Sequence, residues 1–487
     1  MDIVVIVVYM LGMIGIGLWG RSRAKSESDF LVAGRRLGPF LYSGTLAAVV
    51  LGGASTIGGV GLGYTHGISG MWLVFAIGIG ICVLSLLFAG RIQKLRVYTV
   101  PQMLDLRYGR GSALLSGTIM MFYALFLAVT STVAYGTVFS VLFDIDRIPA
   151  ILLGGSVVII YSILGGMWSI TLTDFVQFLI MTVGIFFILL PIVISKAGGW
   201  SGMQAALPPE FFSLTAIGGG TILTYFVIYG FGLLIGQDIW QRVFTSRSPG
   251  VARWGGLTSG LYCLAFGVAG AMIGMATKVI IPNLEVADDA FAQVVGGTLP
   301  PALAGLVLAA ALAAIMSTSS GTLIAAATVA NKDVVAALFK RHAAAEKSSH
   351  DEIRGNRLYI LAFGILMLGL ACLIQDVVGA LTIAYDLLVG GLLVAIIGGL
   401  VWKRGTIVGA MASMIAGGVV TIGTMLVVRD IFANEPIYYG LGSALVVYIA
   451  VSLLTKPTDP EILTAWTKRI SGKDQSIEGD PETNRTS

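Results

Sequence analysis

Polar positions along this chain do not alternate with apolar ones at a short period. Apolar runs of about 20 residues follow one another, separated by brief polar clusters. A run of that length crosses about 30 Å of hydrocarbon as a helix, and a helix satisfies its own backbone donors and acceptors where water is absent. The pattern predicts about 13 membrane spans, over residues 3–20, 38–65, 69–90, 112–143, 148–167, 171–195, 214–237, 254–278, 301–330, 358–375, 377–402, 405–428 and 437–455. The expected class is an all-α integral membrane protein.

Composition agrees with this reading, with 56% hydrophobic against 11% charged residues and a mean hydropathy of +0.90. Charge then orients the chain. The first span follows Asp2 and precedes Arg21, Arg23 and Lys25, the reverse of a signal peptide, which predicts an anchor with the N-terminus outside and the C-terminus inside. In that frame Arg147, Lys196, Lys278 and Arg429 face outward and 26 of the 30 Lys and Arg face inward. The net charge of +4 is therefore explained by topology, and no basic soluble domain is expected to bind nucleic acid.

Catalytic and metal motifs are missing. Cys82, Cys263 and Cys372 each sit in an apolar run and read as packing residues. His66, His342 and His350 are scattered, and the chain contains no HExxH, Walker A, GxSxG or dinucleotide fingerprint. GGASTIGGVGLG resembles a phosphate loop but lies at membrane depth with no strand before it. The polar tail at 456–487, ending GKDQSIEGDPETNRTS, is too short for an enzymatic domain and is expected to be partly disordered. An enzyme is not expected, nor is a required protein partner.

Two features carry function. Span 38–65 is interrupted by Gly52 and Gly53, and span 214–237 by Gly230, Gly232 and Gly236. Glycine also serves close helix packing, but two interruptions that each lead a set of five spans point to inverted repeats around a central binding site. The second feature is ALAAIMSTSSGTLIAAAT at 311–328, in which Ala314, Ser317, Thr318 and Gly321 fall at i, i+3, i+4 and i+7 and share one helix face. Neutral hydroxyls and freed carbonyls suit a hard monovalent cation. The alternative is that these hydroxyls bond back to their own helix or join neighbouring helices.

FLVAGRRLGPF, YTVPQMLDLRYG, YSILGGMWSITLTDFVQ, GQDIWQRVFTSRS and LAAIMSTSSG together make the chain resemble the solute:sodium symporter family. That resemblance implies a LeuT-like fold of two inverted five-helix repeats plus flanking helices. It divides the chain into an N-terminal helix and loop (1–37), a first repeat (38–195), an external connection (196–213), a second repeat (214–402), two further helices (403–455) and the tail (456–487). It implies sodium as coupling ion and import of a small organic solute across the cytoplasmic membrane. The implied sodium ligands are the carbonyls of Ala48, Leu51 and Ala314 and the hydroxyls of Ser317 and Thr318. In a subset of the family an aspartate matching Asp174 helps hold a second sodium with hydroxyls from 317–321; Ser317 and Ser320 are present here, but Gly321 replaces a hydroxyl.

Ion number matters because one charge crossing 100 mV is worth about 2.3 kcal/mol, which supports roughly 40-fold accumulation of a neutral solute, whereas two charges support over about 1000-fold. By resemblance the solute binds near Val50, Gly52 and Ser55, where position 50 is apolar although many relatives place a polar residue there. Asp174 and Asp386 are carboxylates inside apolar spans, each a functional candidate. Asp174 has a capping or interfacial role as its alternative. Asp386 in LTIAYDLLVGG would favour an amine-bearing solute or carry a proton, unless a neighbouring helix or the outer vestibule satisfies it. A proton-coupled carrier and a transporter-like sensor are the rival readings.

Overall fold

The computed structural model describes residues 2–109, 111–143, 145–339, 349–374, 377–429 and 433–474. These residues fold almost wholly into helices, with a single isolated bridge between Leu37 and Ser246. Among the described residues ten helices are long and apolar enough to span a membrane, eleven if the bent pair Gly219–Ile235 and Gln237–Thr245 is one span. Two of the ten are too long to cross once. The run Arg147–Lys196 has 50 residues, about 75 Å of helix against about 30 Å of hydrocarbon. Gly166, at φ 55° and ψ −135°, breaks it. A Cβ at this position would overlap the Phe30 carbonyl oxygen, so both the backbone angle and the close approach require glycine. The run Ala54–Lys94 turns in the same way at Gly67, φ +64°.

Burial separates core spans from lipid-facing ones. Pro301–Leu338 and Val378–Val401 are each 83% buried over their most apolar window, whereas Ile407–Val428 and Glu435–Leu454 are 22% and 28% buried. The hydroxyl-bearing helix Pro301–Val329 is thus surrounded by protein. It packs against Ala113–Phe143, Arg147–Met181 and Pro39–Val50, and Ser317, Ser319, Ser320 and Thr322 are completely buried.

Both interrupted spans are broken. Helix Pro39–Val50 ends at Leu51, φ −96° and ψ 56°, and helical geometry resumes at Gly53 before the π-turn Ala54–Gly58. Of the three glycines that the sequence singles out in the second span, only Gly236 makes the break. Gly230 and Gly232 remain helical, and the chain bends by 42° at Gly236. The span continues to Thr245 instead of stopping at 237. QDIWQR reads as an aqueous loop because it is polar. In the fold every residue of Gln237–Thr245 is buried, because its polar groups find protein partners in place of water.

The first part of the tail is helical. Pro460–Ser471 forms a helix capped by Asp459, whose carboxylate accepts from Glu461 N at 2.9 Å. Ile462, Trp466 and Ile470 recur every four residues and supply an apolar stripe; Trp466 is buried. Residues 475–487, most of the expected disordered end, lie outside the described residues. Cys82, Cys263 and Cys372 are free thiols, no group of three His, Cys, Asp or Glu assembles among the described residues, and His342 lies outside them.

Candidate functional site

The first break meets the hydroxyl helix at atomic contact. Ser317 Oγ donates to the Ala48 carbonyl at 2.8 Å and to the Ala314 carbonyl at 2.9 Å. Thr318 Oγ1 donates to the Val49 carbonyl at 2.7 Å and lies 3.4 Å from that of Ala314. Ending the helix at Val50 deprives its last carbonyls of regular i+4 donors, and the two hydroxyls cover them. Five oxygens from two helices therefore converge, all neutral, which is a donor set that fits a hard monovalent cation. Gly52 permits the approach: a Cβ there would stand 2.7 Å from Thr318 Oγ1 and 2.8 Å from Ser131 Oγ.

Ala48, Ala314, Ser317 and Thr318 thus come together as the sequence suggests. Leu51 lies at the break, but its carbonyl accepts from Thr56 Oγ1 at 3.4 Å on the far half of the same span. Val49 was missed. Its carbonyl is invisible to side-chain reasoning, and only the position of the helix end reveals it. Ser131 on Ala113–Phe143 was missed as well, because one serine in a long apolar helix gives no signal of its own.

Asp174 and Ser320 are not joined. Asp174 Oδ2 accepts from Arg242 Nη2 at 2.9 Å and from Thr45 Oγ1 at 2.5 Å, while Arg242 Nε donates to Thr45 Oγ1 at 3.2 Å. Both charged side chains are fully buried. Ser320 Oγ turns back to the Ser317 carbonyl at 3.1 Å. A Cβ at Gly321 would lie 2.7 Å from Arg242 Nη2. The loss of a hydroxyl at 321 therefore makes room for a guanidinium. Sequence reasoning placed Arg242 in a cytoplasmic loop and could not pair it with Asp174.

Around the expected solute position, Ser55 Oγ donates to the Val50 carbonyl at 3.1 Å, and Gly58 faces Val378 at the start of Val377–Val401. Asp386 on that helix is fully buried, and neither of its carboxylate oxygens has a hydrogen-bond partner. One turn earlier Thr382 shares a 3.1 Å hydroxyl contact with Tyr229 of the second broken span. Tyr385 stacks edge-on with both Tyr123 and Tyr229, at 5.3 and 5.4 Å. An unpartnered carboxylate beside an aromatic cluster and a broken helix is a candidate binding feature, because burial without a partner is costly.

Buried helices, two broken spans and oxygens converging on the first break are the architecture of a multi-pass membrane transporter. The chain belongs to the sodium:solute symporter family, whose profile matches residues 30–417. Among its relatives, the osmoregulated proline transporter OpuE of Bacillus subtilis (strain 168) is 26% identical over 482 residues, covering 92% of this chain and 94% of that protein. The sodium/proline symporter of Escherichia coli (strain K12) is 26% identical over 435 residues, covering 85% and 86%. A solved structure of a Na+-coupled sialic acid symporter, substrate-bound and outward-open, superimposes with a TM-score of 0.78 at 20% identity over 94% of this chain and 98% of that one. At that identity the match establishes the LeuT-like fold and nothing finer.

Proposed function

We propose that this protein imports a small organic solute across the cytoplasmic membrane by sodium symport with alternating access. The observation that carries the reading is the convergence of the Ala48, Val49 and Ala314 carbonyls with the Ser317 and Thr318 hydroxyls at the first break. In this reading sodium bridges the hydroxyl helix and the first broken span and so links ion occupancy to their relative position. The breaks at Gly67 and Gly166, taken as chain reversals, with both broken spans each counted once, support 13 spans, the repeat boundaries 38–195 and 214–402, and an N-terminus outside with the tail inside. The names of the relatives point the same way, two to proline and one to sialic acid.

The Asp174 and Arg242 pair supports a single sodium. A guanidinium is a permanent cation, and it already neutralises the carboxylate that a second sodium would use. Asp386 favours a solute with a cationic nitrogen, which proline itself carries. The same orphan carboxylate favours one rival reading, in which Asp386 takes up a proton and transport survives sodium removal.

The test is thermal unfolding of the purified chain with amino acids, polyamines, sugars and carboxylates, in sodium chloride and again in choline chloride. Ligands raise the stability of the folded state that binds them. A solute that stabilises only with sodium present is the expected result, and no sodium effect with or without solute defeats the symport reading. In the same screen Asp386→Asn is expected to lose stabilisation by amine-bearing hits while keeping the response to sodium alone. Equal retention of all hits by this variant removes Asp386 from recognition.

A further inference from the structure

Outside the transport site, the tail helix Pro460–Ser471 borders a half-open cavity of about 790 Å³ at one end of the bundle. Five basic side chains line it: Arg91, Arg107, Lys403, Lys468 and Lys473. No Asp or Glu stands among the described residues of its wall. Surface lysines alone would carry little weight. Arg107 is different, because it is 1% exposed and held in place. Its Nε donates to the Gly399 carbonyl at 2.9 Å and its Nη2 to the Trp402 carbonyl at 2.8 Å, capping helix Val377–Val401, while Nη1 has no partner. A buried guanidinium with a spare donor beside four further ammonium and guanidinium groups is suited to an acceptor-rich anion.

The tail helix is fastened over this cavity. Arg469 Nε donates to the Leu95 carbonyl at 2.9 Å and Lys94 Nζ to the Ser471 carbonyl at 3.2 Å, so the wall carrying Lys468 and Lys473 is fixed to the segment that carries Arg91 and Arg107. The position selects the anion's source. Trp402 and Lys403 directly follow a membrane span, and Val401 just before them is 62% exposed, as is usual for a lipid-facing residue. Tryptophan and lysine at a span end mark the headgroup level, and basic pockets between helices at that level bind anionic headgroups.

We propose that this cavity binds the phosphate group of an anionic phospholipid, with Arg107 as the fixed anchor and Lys403, Lys468 and Lys473 closing around it. The lipid would pin the tail helix to the bundle. The site is independent of the sodium and solute positions.

The test uses the full chain in a neutral detergent, titrated with short-chain phosphatidylglycerol, phosphatidylcholine and inorganic phosphate, with the unfolding midpoint as readout. Phosphatidylglycerol is expected to raise the midpoint at concentrations where the other two do not. Each basic residue near a lipid surface contributes roughly fivefold in affinity, so Lys403→Gln/Lys468→Gln/Lys473→Gln should weaken the phosphatidylglycerol response by about a hundredfold. These lysines are exposed, so the lipid-free midpoint of that variant should match the wild type. Lys25→Gln/Arg247→Gln/Arg253→Gln removes three positive charges that do not belong to the cavity wall and should leave the lipid response nearly unchanged. Equal weakening by both triple variants overturns the site in favour of diffuse charge attraction. Protection by inorganic phosphate as good as that by phosphatidylglycerol overturns the lipid source, and protection by none of the three overturns the site outright.

Discussion

Arg242→Ala is expected to destabilise the folded protein by about 3–5 kcal/mol, the range seen when one member of a buried ion pair is removed. The reason is what remains. Asp174 is fully buried, and without the guanidinium only Thr45 Oγ1 serves its carboxylate, one of whose oxygens already lacks a partner. Removing both charges should cost far less, because apolar replacement of a buried pair is often close to neutral. Arg242→Met combined with Asp174→Leu is therefore expected to recover most of the stability lost by Arg242→Ala. Thermal unfolding of the single and double variants in choline chloride measures the difference. If the double variant is as damaged as the single one, packing and not charge is what the pair supplies.

The same variants address sodium number. With the tethered cation gone, Asp174, Ser320 and the enlarged space beside Gly321 regain the elements of a cation site. Sodium is then expected to restore part of the stability of Arg242→Ala at concentrations that do nothing further for the wild type. No extra sodium response in that variant separates the pair from ion binding and leaves it a structural link.

Much of this architecture was legible in the sequence because membrane insertion makes a coarse demand. Each span must be about 20 apolar residues long whatever its neighbours are, so spans could be read one at a time. The hydroxyl face could also be read alone, since helix periodicity sets it within a single segment. What escaped were features made by two segments meeting. Residues 237–245 look aqueous until Asp174, Tyr123 and the Tyr98 carbonyl are placed around them, the last accepting from Gln237 at 3.0 Å and Tyr123 donating to Asp238 at 3.0 Å. Gly321 looked like a missing ligand, and only the position of Arg242 turns it into clearance for a side chain. Val49 contributes through its backbone, where residue type carries no information. The tail helix was passed over because its apolar stripe is short, and its partners lie more than 350 positions away, as in the bond from Arg469 to Leu95.

Thr318→Ala is expected to raise the sodium concentration for half-maximal stabilisation by roughly 10- to 100-fold, the equivalent of one interaction with a charged group at about 1.5–3 kcal/mol. The substitution also removes the 2.7 Å bond to the Val49 carbonyl, which costs stability whether or not an ion is present. Measuring unfolding across a sodium series and a matched choline series separates the two effects. Loss of the bond lowers both series alike, whereas loss of a ligand shifts only the sodium midpoint. Thr318→Ser keeps an oxygen at the same position and is expected to hold that midpoint close to the wild type. If Thr318→Ala lowers both series equally and the sodium midpoint stays put, the hydroxyls of this helix join it to the first broken span without coordinating the ion. The coupling cation would then have to be sought at the carboxylates, with Asp386 the first to replace, because neither of its oxygens has a hydrogen-bond partner, whereas Asp174 is paired with Arg242.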